Sequence, residues 1–208
     1  MTQIDGLDIS HHQGEVDFQR LKAGGCNFIF LKATEGVSFT DNKFASNRRA
    51  AKAAGIPRGA YHYYSTDVSP AAQAAHFLDI VGAVEPGDLF PVVDVEDELQ
   101  FKGISPKRAA DMVVAWMEEV EKRLGVPCML YADESMIVHA LGSDIRLAQA
   151  GRLLWYAKYR SRLLVPAPPP PFERVTVWQF SKTGKRAGIG GNVDEDIAFV
   201  PVEDFMRK

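Results

Sequence analysis

Along this chain the spacing of apolar residues changes back and forth between two periods. Short runs rich in β-branched and aromatic residues suit a pleated sheet, and they alternate with longer stretches whose apolar positions recur at three and four, as on one face of a helix. "IDGLDIS" reads as a first strand, residues 16–24 as a short helix, and "NFIFLKA" as a second strand. An Ala-rich helix over 41–54 is stopped by Gly55 and Pro57, and "RGAYHYYS" gives a third strand. Ser69 and Pro70 supply an N-cap and a first helical position for a helix running to about Val84, where "EPGD" breaks it. "LFPVVDVE" follows as a fourth strand. "SPKRAADMVVAWMEEVEKRLG" repeats the Ser-Pro start, carries an apolar stripe through Ala110, Val113, Val114, Met117, Val120 and Leu124, and ends at Gly125. "PCMLYA" is the fifth strand.

Beyond residue 145 the helical period disappears. "RLLWYAKY", "RVTVWQFS" and "DEDIAFV" are strand-like segments separated by Pro- and Gly-rich connections, of which "VPAPPPPF" is stiff and extended but too short to divide domains. Five βα units joined by right-handed crossovers imply a parallel sheet, and eight strands in total invite closure into a barrel whose last part has lost its helices. An open doubly wound sheet is the alternative, but "DISHHQGE" after the first strand supplies one glycine only and no GxGxxG.

Composition narrows the function. With 46% hydrophobic and 25% charged residues the chain reads as one globular domain over residues 1–208. A net charge of -3, without a basic patch interleaved with aromatics, argues against nucleic acid. The N-terminus shows neither a basic n-region nor an apolar h-region, and no window approaches the ~18 apolar residues of a membrane span. The expectation is therefore a monomer without membrane partners, made in the cytoplasm without a signal peptide. Cys26 and Cys128 lack CxxC spacing and read as free thiols.

The chemistry gathers where strands end. In a barrel of parallel strands the C-terminal rim is the reactive face, and there Asp8 ends the first strand while Asp94 and Glu96 end the fourth. Residues two apart on a strand project to one face, so Asp94 and Glu96 point together, their Cα atoms roughly 6.6 Å apart, while Val95 points away. Two carboxylates held close cannot both ionise freely, so one is pushed toward a raised pKa and serves as a general acid, which is glycosidase chemistry in outline. Asp97 and Glu98 read as a solvated acidic turn. Tyr61, Tyr63, Tyr64, Tyr131, Trp155, Tyr159 and Trp178 put aromatics near the same rim, where sugar rings stack; each ring alone suits a core better than a sugar platform, and only their joint placement is informative. His11, His12, His62, His76 and His139 show no HExxH or Cys/His pairing, so no metal and no cofactor is expected. GxSxG is absent too.

The motifs "GLDISHHQGEVDF", "FLKATEG", "GAYHYY", "PVVDVED", "LWYAKY", "VWQFS" and "GNVDED", in that order, resemble those of family 25 glycoside hydrolases, the Chalaropsis-type and phage-endolysin lysozymes, over almost the whole chain. The resemblance implies a TIM-like (β/α)5β3 barrel, α/β in class, and an N-acetylmuramidase acting on peptidoglycan glycan strands. It implies Glu96 as general acid with Asp94 assisting, Asp8 and Asp194 lining the site, and Tyr61, Tyr131, Trp155 and Gln179 as sugar contacts. His62, in the Y-H motif, either orients a carboxylate at the site or is a satisfied core histidine. Lys32 and Glu35 belong to the site or form a structural ion pair. The chain departs from the pattern at His12, where many members have tryptophan, and at Asp196, where the last motif usually ends in asparagine.

Substrate-assisted hydrolysis, in which a 2-acetamido group supplies the nucleophile, is favoured over a covalent glycosyl-enzyme. A chitinase-like enzyme and a non-catalytic wall-binding module are the rival functions. With no wall-binding repeat after the eighth strand, wall affinity is expected to come from the groove. Release by a phage or prophage lysis system, or another export route, would bring the protein to the cell wall.

Overall fold

The computed structural model describes residues 3–208 and has nine strands and five α-helices. The strands are β1 (Ile4–Ile9), β2 (Phe28–Glu35), β3 (Phe39–Thr40), β4 (Arg58–Tyr63), β5 (Val92–Asp94), β6 (Met129–Ala132), β7 (Leu153–Ala157), β8 (Val177–Gly184) and β9 (Val193–Ala198). The helices are α1 (Phe18–Ala23), α2 (Phe44–Ala53), α3 (Pro70–Val81), α4 (Glu98–Phe101) and α5 (Pro106–Leu124). Hydrogen-bonded neighbours run β1-β9-β8-β7-β6-β5-β4-β2, and β1 also pairs with β2, so eight strands close into a barrel with β3 outside it on β2. Ladders among β1, β2 and β4 to β8 are parallel, whereas β9 runs antiparallel to both β1 and β8.

The expected barrel is present, with three local differences. The third helix ends at Val81 rather than Val84 because Gly82 adopts φ 65°, a left-handed conformation that costs glycine little. Asp97 and Glu98 belong to an ordered turn: Asp97 accepts the Leu99 backbone N–H at 3.0 Å and caps α4. After β6 the fifth crossover carries a π-helical turn, Met136–Ala140, and a 3-10 turn, Ile145–Ala148, in place of a full helix.

Strand alternation splits the core in two. Outward residues such as Leu31, Val93, Leu130 and Tyr156 share one apolar cluster with Val113, Trp116, Met117 and Val120 of α5. Inward residues Phe28, Phe30, Val92, Met129, Trp155 and Val177 fill the lumen. Gly6 faces Phe28 so closely that a Cβ there would lie 2.2 Å from the ring, so only glycine lets that phenyl plug the centre. At the N-terminal end of the barrel Phe205 is wholly buried, its ring edge-on to Phe28 at 5.5 Å. Beside it Asp88 pairs with Arg58 and, at 2.9 Å, with Arg48. The lumen is thus a packed solid with a closed floor, and only its C-terminal mouth is available for chemistry. Cys26 and Cys128 are buried free thiols.

Candidate active site

The mouth begins with the backbone of β5. The sheet continues one step past Asp94, because the Tyr64 N–H donates to the Asp94 carbonyl and the Val95 N–H donates to the Tyr131 carbonyl, each at 2.9 Å. Held on both sides, the segment keeps its alternation: Val95 is wholly buried toward the helices, while Asp94 and Glu96 turn to the mouth. Asp94 is buried and Glu96 is exposed to solvent.

Burial and then the Glu96 carboxylate raise the Asp94 pKa well above the usual aspartate value, against a downward pull from Lys32. The Glu96 pKa is raised as well, first because protein walls crowd out part of its water; Lys32 opposes, and Asp194, Asp133 and Asp97 add to the rise. Asp94 Oδ1 is sealed from solvent and has no hydrogen-bond partner.

Across the mouth stands a second set of acids. Asp8 lies opposite Asp194, and Gly6 opposite Asp196, in the β1–β9 ladder. Alternation puts Asp8, Asp194 and Asp196 on one face of that ladder, where the three carboxyl groups bear on one another. The Gln179 Nε2 donates to Asp8 Oδ2 at 2.7 Å, and the Tyr131 and Tyr159 hydroxyls both donate to Gln179 Oε1 at 2.8 Å. Trp155 Nε1 donates to Asp196 Oδ1 at 2.8 Å. Burial, followed by neighbouring carboxylates, pushes the Asp8 pKa well up, and burial does the same to Asp196. One polar network therefore ties β1, β6, β7, β8 and β9 together beneath the opening.

The rim is aromatic and cationic. Lys32 projects from β2, its ammonium 2.7 Å from Glu35 Oε2 and 4.7 Å above the centre of the Tyr63 ring. It is the ion pair that one reading of "FLKATEG" expects, and it also bears electrostatically on Asp94 and Glu96. On the opposite side a cleft of about 430 Å³ runs from Glu96 between Tyr131, Asp133, Glu134, Lys158, Tyr159 and Lys182. The Lys182 ammonium lies 5.2 Å from the Tyr159 ring centre. At the end of β1, His12 packs against His11 with ring centres 4.0 Å apart and planes tilted by 37°, and His11 Nδ1 is 2.9 Å from Asp41. A ring is thus retained at the departure from tryptophan.

Of the residues that the sequence brings to the site, Asp8, Asp94, Glu96, Asp194, Tyr61, Tyr131, Trp155 and Gln179 do come together here. His62 does not. It is wholly buried on the helix side of β4, where its ring nitrogens meet Thr34 Oγ1 at 2.7 Å and Gln73 Oε1 at 3.1 Å and its ring stacks on Trp116 at 5.2 Å. Burial pushes its pKa down to about 4, so it is a neutral core histidine. Tyr64 and Trp178 likewise face the helix layer. Trp155 is 2% exposed, with Phe30 stacked on it at 4.4 Å and Tyr131 packed against it at 4.6 Å, so its ring is the floor of the site and offers no open face to a sugar.

Phe39, Asp133 and Lys182 also reach the mouth region, and sequence reasoning passed over them. Phe39 sits on the two-residue β3, too short to show a period, and it is 39% exposed, which a core phenylalanine would not be. Among the described residues no group of three His, Cys, Asp or Glu side chains is arranged to hold a metal ion.

A mouth with paired acids over a polar network and aromatic walls suits proton transfer to a glycosidic oxygen. The chain matches the family model Glycosyl hydrolases family 25 over residues 7–189. Lysozyme M1 of Streptomyces globisporus is 30% identical over 199 residues, spanning 93% of this chain and 67% of that protein. The N,O-diacetylmuramidase of Chalaropsis sp is 29% identical, spanning 92% and 96%. The crystal structure of a lysozyme from Streptomyces coelicolor superposes with a TM-score of 0.91 at 28% identity, covering 99% of this chain and 96% of that one. A family GH25 lysozyme from Aspergillus fumigatus gives 0.88 at 26% identity, covering 99% and 100%. Barrel, acid pair and relatives agree, and the chain belongs to glycosyl hydrolase family 25 and is a glycoside hydrolase.

Proposed function

We propose that this enzyme is an N-acetylmuramidase that cuts the β-1,4 bond between N-acetylmuramic acid and N-acetylglucosamine in peptidoglycan, with Glu96 as general acid and Asp94 as its helper. The observation that carries the assignment is the pairing, on one face of the β5 segment, of a solvent-reachable Glu96 with a buried Asp94, both with raised pKa values. Glu96 gives its proton to the glycosidic oxygen as the bond to the anomeric carbon breaks. The 2-acetamido oxygen closes on that carbon, and Asp94 accepts the acetamido N–H. Water then opens the cyclic intermediate, returning its proton to Glu96. Asp8 and Asp194 hold the opposite side of the mouth, and Tyr61, Tyr131 and Gln179 meet the sugar from below.

Glu96→Gln keeps the shape and removes the donor. Mass spectrometry of the sugar ends released from purified sacculi should show reducing N-acetylmuramic acid ends for wild type. The variant should turn over about 10²- to 10⁴-fold more slowly. A variant as active as wild type, or wild-type products ending in reducing N-acetylglucosamine, refutes the assignment. Trapping a covalent glycosyl-enzyme, or finding inversion at the anomeric carbon, rejects the acetamido mechanism.

No helix of the described residues is long and apolar enough to cross a membrane. The proposed route to the wall is release by a separate membrane-permeabilising protein or another export system, with the enzyme acting as a monomer.

A further inference from the structure

Asp196 has no place in the proton transfers above, yet it is wholly buried in the lumen wall. Its Oδ1 accepts the Trp155 indole N–H at 2.8 Å. Its Oδ2 is sealed from solvent and has no donor. Other groups bearing on it are Asp8 from β1, Asp194 and Glu195 from its own strand, and Trp155 from β7; Gln179 of β8 reaches it only through Asp8. Behind β1 lies Cys26, and Arg186 is engaged with Glu195 at 2.8 Å. Among the described residues no lysine or arginine forms an ion pair with Asp8, Asp194 or Asp196. A carboxylate so placed would leave a buried ionised oxygen unpaired, whereas a carboxylic acid turns the same oxygen into a donor on the ladder face that also carries Asp8.

We propose that Asp196 is a positioning residue that holds a proton on Oδ2 and donates it to Asp8, so that Trp155, Asp196, Asp8 and Gln179 form one hydrogen-bonded chain under the reacting sugar. The acid then does the work of an amide: it accepts from Trp155 on one oxygen and donates to Asp8 from the other. Asp8 receives two donors, from Gln179 and Asp196, and keeps its orientation toward the mouth. The kinetic arm of this proposal rests on the assignment of Asp94 and Glu96 as the reacting pair; the spectroscopic arm does not.

The test uses the full chain as wild type, Asp196→Asn, Asp196→Leu and Glu96→Gln. Asp196→Asn reproduces both hydrogen bonds and should keep kcat. Asp196→Leu keeps neither and should lower kcat by about 10²-fold with little change in KM, the signature of a misaligned reacting group. Infrared difference spectra at neutral pH should contain the carbonyl stretch of a protonated carboxylic acid that Asp196→Asn removes.

The Asp196 pKa is raised by burial, so its stabilising effect is whole below the unfolded value of about 4 and is lost as pH rises toward the folded one. Asp196→Asn should therefore gain in Tm over wild type as pH rises, and this arm stands even if Asp196→Leu fails to fold. An Asp196→Asn protein as inactive as folded Asp196→Leu, or a neutral-pH spectrum without that acid band, overturns the proposal. If Glu96→Gln keeps full activity, the reading of the reacting pair fails, while the spectrum still decides the protonation of Asp196.

Discussion

Gln179 and Asp8 meet at 2.7 Å across the mouth of the barrel, although 171 positions separate them in the chain. The Asp8 carboxylate calls for the amide nitrogen, which leaves the amide oxygen to accept from Tyr131 and Tyr159. Gln179→Leu leaves two hydroxyls without their acceptor and Asp8 without its amide donor. It should lower kcat/KM by about 10²-fold in a peptidoglycan-clearing assay, whereas Tyr159→Phe, which removes one of two donors at a half-open position, should cost far less.

If Glu96 is the general acid, Lys32 should set the alkaline limit of activity. Its ammonium pulls the Glu96 and Asp94 pKa values down against the upward push of burial. Lys32→Met removes that pull and also frees Glu35, whose charge raises Asp94 further. A general acid works only while protonated, so the alkaline limb of the kcat profile should move to higher pH in Lys32→Met. A limb that stays put or moves to lower pH would contradict this electrostatic account.

His62 acts in the core. Its pKa is lowered from 6.5 to about 4, chiefly by burial. The folded state therefore stays neutral where the unfolded chain takes up a proton, and stability from this residue is present above the unfolded value and lost as pH falls toward about 4. Nitrogen-detected NMR should show a neutral ring at pH 5.5. His62→Ala should cost about 3 kcal/mol in urea unfolding, with KM unchanged.

Phe205 closes the floor. Phe205→Ala removes the ring that packs edge-on to Phe28 and leaves a void that the barrel cannot collapse to fill. A loss of about 3–5 kcal/mol is expected in urea unfolding. Products from sacculi should be unchanged, because the mouth lies at the other end of the barrel.

What could be read in advance follows from how locally each feature is encoded. Period two alone puts Asp94 and Glu96 on one face, and Ser-Pro and Gly signals place α3 and α5 to within a few residues. The same period puts His62 opposite Tyr61 and Tyr63, so motif membership misleads where alternation does not. β3 and α4 are shorter than any period that would reveal them. The meeting of Asp8, Asp194 and Asp196 depends on β9 running antiparallel to both neighbours, a property of the closed sheet that no local pattern carries. Trp155 shows the limit for aromatics: a rim position on a strand does not say whether the ring opens to solvent or is roofed by Phe30 and Tyr131.

The seam between β1 and β9 joins residues 4–8 to residues 194–198. Contacts this remote along the chain form late, since a long loop must be closed before they gain anything. Three of the acids at the mouth meet only when that seam shuts. A chain whose seam is still open thus carries Asp94 and Glu96 without the opposite jaw, and the mouth is assembled only by closure of the whole barrel.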